Sequence, residues 1–469
     1  MPDTNYSSCW LFPLAQWGAG LDGDALAEPV RSRLGDCALD WWGAMIAGTR
    51  HRLAEPYRRV LGGPVAGDCS VAGCPEGRPP LQAAAANAAL SHLLEVDDGH
   101  RLAMMHPGVT VFPVVMALAE HMDLSAAEMR AAVVVGYEVG LRVGALLGKA
   151  HYATCHTTAT AGCFGAAAAA ARILGLDAER TLWALGHAGT QAAGLWQFLD
   201  DGAEAAKAFH PATAVRNGLT AAMLASEGIP GAARVLEGRR GLLAAWGLAG
   251  DPAVLADGLG DRFEILQTTL KGWPACGQMH SSLDALRDLM RRERLRSDDI
   301  ERIVVTGPRA QVDIADVRDP RSFEEAKFST RFCIAFLALE GSLSFSNFTP
   351  DALDRDAVRR LSERVEVVEE PSFTARFPAK RPARVEVLCR DGSAFSAERS
   401  FRRGDPEDPW SWADLVERFD AITVGLESVL RGEFVAWSEA FGTAAGPQGG
   451  AVRALFRRLI EDGEIRDEA

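Results

Sequence analysis

The chain has 469 residues, with 49 basic against 63 acidic side chains, a formal net charge of −14 and 48% apolar residues. That length carries two or three domains, and the apolar share supplies a large core. No basic stripe offsets the acidic excess, so nucleic acid is excluded as the main partner; a small anionic substrate is not, because local cations decide that.

Nine cysteines are scattered from Cys9 to Cys389 without a CxxC pair. This usage fits a reducing compartment, with cysteines acting as small buried hydrophobes. Cys69 and Cys74 lie close together, but no partner follows at zinc-finger spacing, and no bound metal is expected. The N-terminal MPDTNYSSCWLFPLAQWGAG lacks the basic and apolar regions of a signal peptide, and no run reads as a membrane helix. The expectation is a cytoplasmic protein with no membrane partner.

In chain order, residues 1–24 read as an irregular arm. Residues 25–54 follow as a helix, with Leu26, Val30, Leu34, Ala38, Trp41 and Trp42 at helical spacing. The Gly- and Pro-rich residues 60–80 read as a loop, and LQAAAANAALSHLL (81–94) as the next helix. Glu95-Val-Asp-Asp-Gly-His100 interrupts it. His106-Pro107-Gly108 then opens an apolar helix through His121. Ser125-Ala-Ala-Glu128 is a capping box that starts a long helix, 126–148. Cys155-His156-Thr-Thr leads into an Ala-rich helix, 161–174, and another helix spans 178–194. The small residues permit close approach of helix axes.

Lys207-Ala-Phe-His210-Pro211 comes next. Lys207 and His210 share a face on a helical turn, and Pro211 fits a first turn, so a helix begins near His210. A cation and an imidazole beside free N–H groups can seat a carboxylate or phosphate. The texture changes near Lys271. ERIVVTGP and ERVEVVEE read as strands, and Asp391-Gly392 between two strand-like runs reads as a hairpin. Helical patterning returns over 410–465. The fold class expected is therefore mainly α with an α+β insertion. An all-helical large domain is built from residues 1–270 and 405–469, and a smaller α/β domain from 271–404, with a ligand cleft between them.

Four polar patches interrupt the apolar helices: Glu95 to His106, His156, Lys207 to His210, and Lys271 to His280. Each falls at a helix end or loop, where binding groups are commonly displayed. Each also has a structural reading. Asp97 and Asp98 can cap a turn, His106 can be a satisfied loop histidine, His156 can belong to an N-cap cluster with Thr157 and Thr158, and Lys271 can be a surface lysine. Gly18-Ala-Gly20-Leu-Asp-Gly23 spells GxGxxG, but no strand precedes it. No Walker loop, GxSxG or HExxH is present.

Taken in order, these patches resemble the MmgE/PrpD family, which includes 2-methylcitrate dehydratase, cis-aconitate decarboxylase and iminodisuccinate epimerase. The strings are SHLLEVDDGH, HPGVTVFPVVMALAE, GYEVGLRVG, CHTTATAGCFGAAAAAARILGLD, ALGHAGTQAAGLWQFLDDG, KAFHPATAVRNGLTAAMLA, RVLEGRRGLL, KGWPACGQMHSSLDAL and EEAKFSTRFCIAFLALEG. The resemblance implies a helical domain with an α/β lid, a homodimer, and an interdomain site that needs no cofactor or metal. It implies His106 as the histidine of the HPG motif and His156 as the one ahead of the Gly- and Ala-rich helix. It implies Lys207 as the lysine of K-x-x-H and Lys271 as the one before the aromatic-Pro pair. The chain departs from the family pattern in placing Glu95 at a catalytic Asp position, Gly99 at a Thr, Ala212 at a Gly, Cys276 at a His and Phe332 at a Tyr.

The implied activity is a cofactor-independent lyase, a dehydratase or decarboxylase, working through a carbanion next to a carboxylate of a small di- or tricarboxylate. Alternatives are an epimerase or isomerase on a similar acid, or a non-catalytic metabolite-binding relative. His106 and His156 are the candidate proton carriers, Lys207 and Lys271 the charge-stabilising cations, and Glu95 an orienting group or second base. Asp97, Asp98, Gly99, Gln197, His210, Cys276, His280 and Phe332 are candidates for contacts with substrate.

Overall fold

A computed structural model describes residues 6–344, 347–443 and 446–467. The chain is mainly helical with small sheets. One apolar core gathers side chains from Cys9 to Leu270 and again from Leu415 to Leu459. A second gathers side chains from Trp273 to Cys389.

The first core follows from small residues. Helix Gly162–Ile173 carries six consecutive alanines and packs between helices Ala126–Tyr152 and Phe209–Ser226. Gly165 faces Gly136: a Cβ on Gly165 would stand 2.8 Å from the Gly136 carbonyl oxygen, and the same position faces the Cα of Gly140 at 3.4 Å. Only hydrogen side chains let these axes come so close. Helix Ala126–Tyr152 opens on the predicted capping box. Ser125 Oγ accepts from the Glu128 amide at 3.2 Å, and the Glu128 carboxylate accepts from the Ser125 amide at 2.8 Å. Among the described helices it alone is long and apolar enough to cross a membrane, and 89% of its apolar window is buried inside the protein.

Helix Glu28–Gly48 ties the ends of the chain together. Trp42 packs on Phe434, Trp437 and Phe456, with ring centroids 5.0, 5.7 and 5.2 Å away, so residues near both ends of the sequence share one aromatic cluster. The second core lies under a four-stranded sheet. Strand Ile300–Gly307 pairs in parallel with Val365–Glu369 and antiparallel with Ala383–Cys389, which pairs in turn with Ala394–Arg399. The last two strands form the hairpin around Asp391-Gly392, where Gly392 takes φ 85°.

Two expectations need correction. The N-terminal arm is not irregular throughout, because Phe12–Gly20 is a helix with proline in its first turn and Leu14, Ala15 and Gly18 buried. The Gly- and Pro-rich stretch is not only loop. Cys69–Val71 and Cys74–Arg78 pair as a short hairpin. Local composition hid it because its support is tertiary: the Asn87 side chain accepts from the Ala72 amide at 3.0 Å and donates to the Ser70 carbonyl at 2.9 Å.

The shared aromatic cluster sets a stability expectation. Trp42→Ala should cost about 3–5 kcal/mol, the usual scale for truncating a buried tryptophan. Chemical denaturation followed by far-ultraviolet circular dichroism measures this, and a loss below about 1 kcal/mol would mean that the first and last segments are not held together there.

Candidate active site

The site is built where helix Pro80–His92 ends. The chain leaves that helix and turns at Glu95, whose φ of 62° is a left-handed backbone that side chains other than glycine rarely adopt. It then runs through Asp97 and Asp98 into Gly99-His100, which pairs with Thr268-Thr269. That short pairing brings the segment beside Lys271. Arg418, from helix Trp412–Ile422, fixes both. Its Nε donates to the Lys271 carbonyl at 2.5 Å, its Nη2 donates to the Val96 carbonyl at 2.7 Å, and its Nη1 stands 3.0 Å from Asp40.

Glu95 is 4% exposed and bridges two lysines. One carboxylate oxygen accepts from Lys207 Nζ in a short hydrogen bond, and Lys271 Nζ stands 3.4 Å from the other. Lys271 also donates to the Glu95 backbone carbonyl at 2.9 Å. Burial by itself would raise the Glu95 carboxyl, but Lys207 and then Lys271 hold it well below the usual carboxylate range. Glu95 is thus a fixed anion that positions two ammonium groups. A third lysine, Lys327, donates to the Leu93 carbonyl at 2.8 Å, and burial pushes its pKa down to about 8.

His106 lies on the other side. Its Nδ1 stands 3.0 Å from Asp97 Oδ2 and 2.7 Å from the Asp98 carbonyl. Both neighbours are acceptors, which assigns the Nδ1–H tautomer and leaves Nε2 with the lone pair. Burial brings the ring down to about 4, against the opposing pull of Asp97, so it is neutral at neutral pH. Asp97 Oδ2 also accepts from His92 Nδ1 at 2.9 Å, and although burial would raise this carboxyl, His92 and His106 hold it far below normal. Asp98 behaves in the opposite way. Burial, reinforced by Asp40, pushes its carboxyl up, and it accepts from the Tyr137 hydroxyl at 2.8 Å and the Gly108 amide at 2.9 Å.

A narrow cleft lies between Glu95, His106, Lys207 and Lys271, and its walls come from both cores. Of the predicted residues it is lined by Glu95, Gly99, His106, Lys207, Lys271 and Cys276. Burial raises the Cys276 thiol, which argues against a thiolate nucleophile. The other predicted residues lie outside its lining. His156 sits behind Trp196, its Nδ1 2.9 Å from His210 Nδ1 and its ring 4.6 Å from the indole. Asp97 and Asp98 support His106 from behind. Gln197 is exposed and donates to Asp201 at 3.1 Å. His280 is buried against the Ala275 carbonyl at 2.9 Å, and Phe332 packs in the second core near Phe348.

Several lining residues are not among the site candidates: His100, Trp196 and Gln278, which lie inside the family strings, and Tyr152, Thr269, Arg381 and Arg402, which do not. Two groups of side chains could hold a metal ion among the described residues. One is Asp68, Cys69 and His121; the other is His92, His106 and His156, whose ring nitrogens come within 4.8 Å of one another. The expectation of no ligand set came from spacing, and these three histidines are too far apart in sequence for spacing to reveal them. Their donor chemistry suits a metal, but Lys207 and Lys271 already press positive charge onto the same space.

Comparison with known proteins now adds to this geometry. The MmgE/PrpD N-terminal domain matches residues 13–253, and the MmgE/PrpD C-terminal domain matches residues 273–430. Cis-aconitate decarboxylase of Homo sapiens is 29% identical over 423 residues, covering 86% of this chain and 85% of that protein. The enzyme of the same name from Aspergillus terreus is 26% identical, covering 84% and 85%, and that of Mus musculus is 27% identical, covering 86% and 84%. With both halves of the family pattern matched across most of its length, the chain belongs to the MmgE/PrpD family.

Proposed function

We propose that the protein is a cofactor-independent lyase that forms or quenches a carbanion beside a carboxylate of a small di- or tricarboxylic acid, with decarboxylation favoured over dehydration. The observation that carries this is a neutral, tautomer-fixed His106 facing the same cleft as two ammonium groups held by one carboxylate. Relatives named cis-aconitate decarboxylase that match more than four-fifths of the chain support the choice of decarboxylation.

The residues divide the work by their chemistry. Lys207 and Lys271 attract the substrate carboxylates, and in a water-poor cleft they also stabilise the negative charge that develops when carbon dioxide leaves. A bound polyanion adds negative charge near His106 and raises its proton affinity. The ring, neutral when the cleft is empty, then carries a proton when it is full. Asp97 supports that imidazolium through Nδ1–H, and Nε2–H delivers the proton to the carbanion. His156, linked to His210 and in edge contact with His106 at 6.0 Å between rings, stands one layer behind as a second proton carrier.

Three measurements test this reading. His106→Gln should lower turnover by about 10²-fold or more with a modest change in KM, while Lys271→Met should mainly raise KM. Retained turnover in the histidine variant would overturn the assignment. Binding of a non-reactive dicarboxylate near neutral pH should be accompanied by proton uptake at His106, because burial holds its pKa at about 4 and a bound anion raises it. Calorimetry in buffers of different ionisation enthalpy reads this uptake, which should vanish in His106→Gln; equal heats in all buffers would contradict it. Turnover should also survive chelation and dialysis. Its loss, with recovery on adding one specific divalent ion, would mean that His92, His106 and His156 work as metal ligands.

A further inference from the structure

We infer that Arg381 is the seat of a second substrate carboxylate, so that the cleft selects dicarboxylates over monocarboxylates; this rests on the carboxylate-lyase reading above. Arg381 stands two residues before the strand Ala383–Cys389 and lines the same cleft as Lys207 and Lys271. Its residue is 7% exposed, its guanidinium lies 5.4 Å over the Phe377 ring, and Ser281 Oγ holds its backbone carbonyl at 2.5 Å. Despite this burial, its Nε has no hydrogen-bond partner, and no carboxylate pairs with the guanidinium among the described residues. A buried cation without a directly paired counter-ion is costly to maintain, and burial with the neighbouring Arg402 brings it down to about 10 against the opposing pull of Asp405, still protonated at neutral pH.

The neighbouring arginine shows the contrast. Arg402 Nη2 donates to Asp405 Oδ1 and to Thr269 Oγ1, each at 2.7 Å, and its Nε lies 3.2 Å from Asp405 Oδ1. Its charge and donors are used within the protein. The charge balance of the wall points the same way. Four cations line the wall, Lys207, Lys271, Arg381 and Arg402, against three carboxylates in or behind it, Glu95, Asp97 and Asp405, so a positive excess remains for a ligand to neutralise, and Arg381 is the lining cation without an ion pair among the described residues. A planar guanidinium fork suits a carboxylate in a bidentate pairing, which a lysine point charge cannot reproduce.

The test uses two non-reactive probes of one length, succinate and butyrate, which differ by one carboxylate, with binding read by calorimetry. The unaltered protein should prefer succinate, and Arg381→Gln should weaken succinate by about 10- to 10²-fold while changing butyrate by less than about threefold. Arg381→Lys, which keeps the charge but loses the fork, should fall between, and it carries the test if the glutamine variant does not fold. Lys271→Met should weaken both probes. If Arg381→Gln and Arg381→Lys bind succinate as the unaltered protein does while Lys271→Met loses it, the Arg381 assignment is wrong and the carboxylate reading stands. If the unaltered protein does not distinguish succinate from butyrate, or binds neither, both fall.

Discussion

Glu95 between Lys207 and Lys271 is the interaction on which the site depends. One buried carboxylate holds two ammonium groups from segments far apart in sequence, and it needs a left-handed backbone to reach them. That conformation costs about 1–3 kcal/mol, a cost a stable surrounding fold can carry. Truncating Glu95 would leave two like charges facing each other with no anion between them.

The helical bundle makes such a buried charge cluster sustainable. Alanine and glycine at helix contacts bring the axes of 126–152, 162–173 and 209–226 together, and the tight packing excludes water. Burial then acts on every titrating group in turn. His106 loses its proton in spite of Asp97, carboxylates next to cations keep their charge, and the Asp98 carboxyl, crowded by Asp40, is pushed up. The same low dielectric that strains these groups strengthens the field a substrate carboxylate meets.

Arg418 shows how the last segment of the chain reaches the chemistry without touching it. From its helix it holds the carbonyls of Val96 and Lys271, and so sets the spacing between the Glu95 turn and the second lysine. The first and last helical segments share a core around Trp42, so that aromatic cluster also positions the helix from which Arg418 reaches the site.

The sequence by itself carried whatever depends on local periodicity and order. Helical spacing marked the long helices, the capping box at Ser125 marked a start, and Asp391-Gly392 marked the hairpin, because each is decided within a few residues. The ordered strings around His106, Lys207 and Lys271 carried the family. Tertiary structure decided the rest. Asp97 was legible as an acid but not as the shared acceptor of His92 and His106, because that role needs a helix end and a loop 14 residues later to meet. Arg381 and Arg402 are alike in sequence, two cations near strand ends. Only the direct ion pair of one with Asp405, and the lack of such a pair for the other among the described residues, separates a structural arginine from one left for a ligand. Gln197, His280 and Phe332 show the converse: promising letters whose side chains the fold turns to solvent or into a core, since direction in space is fixed by packing rather than by spacing along the chain.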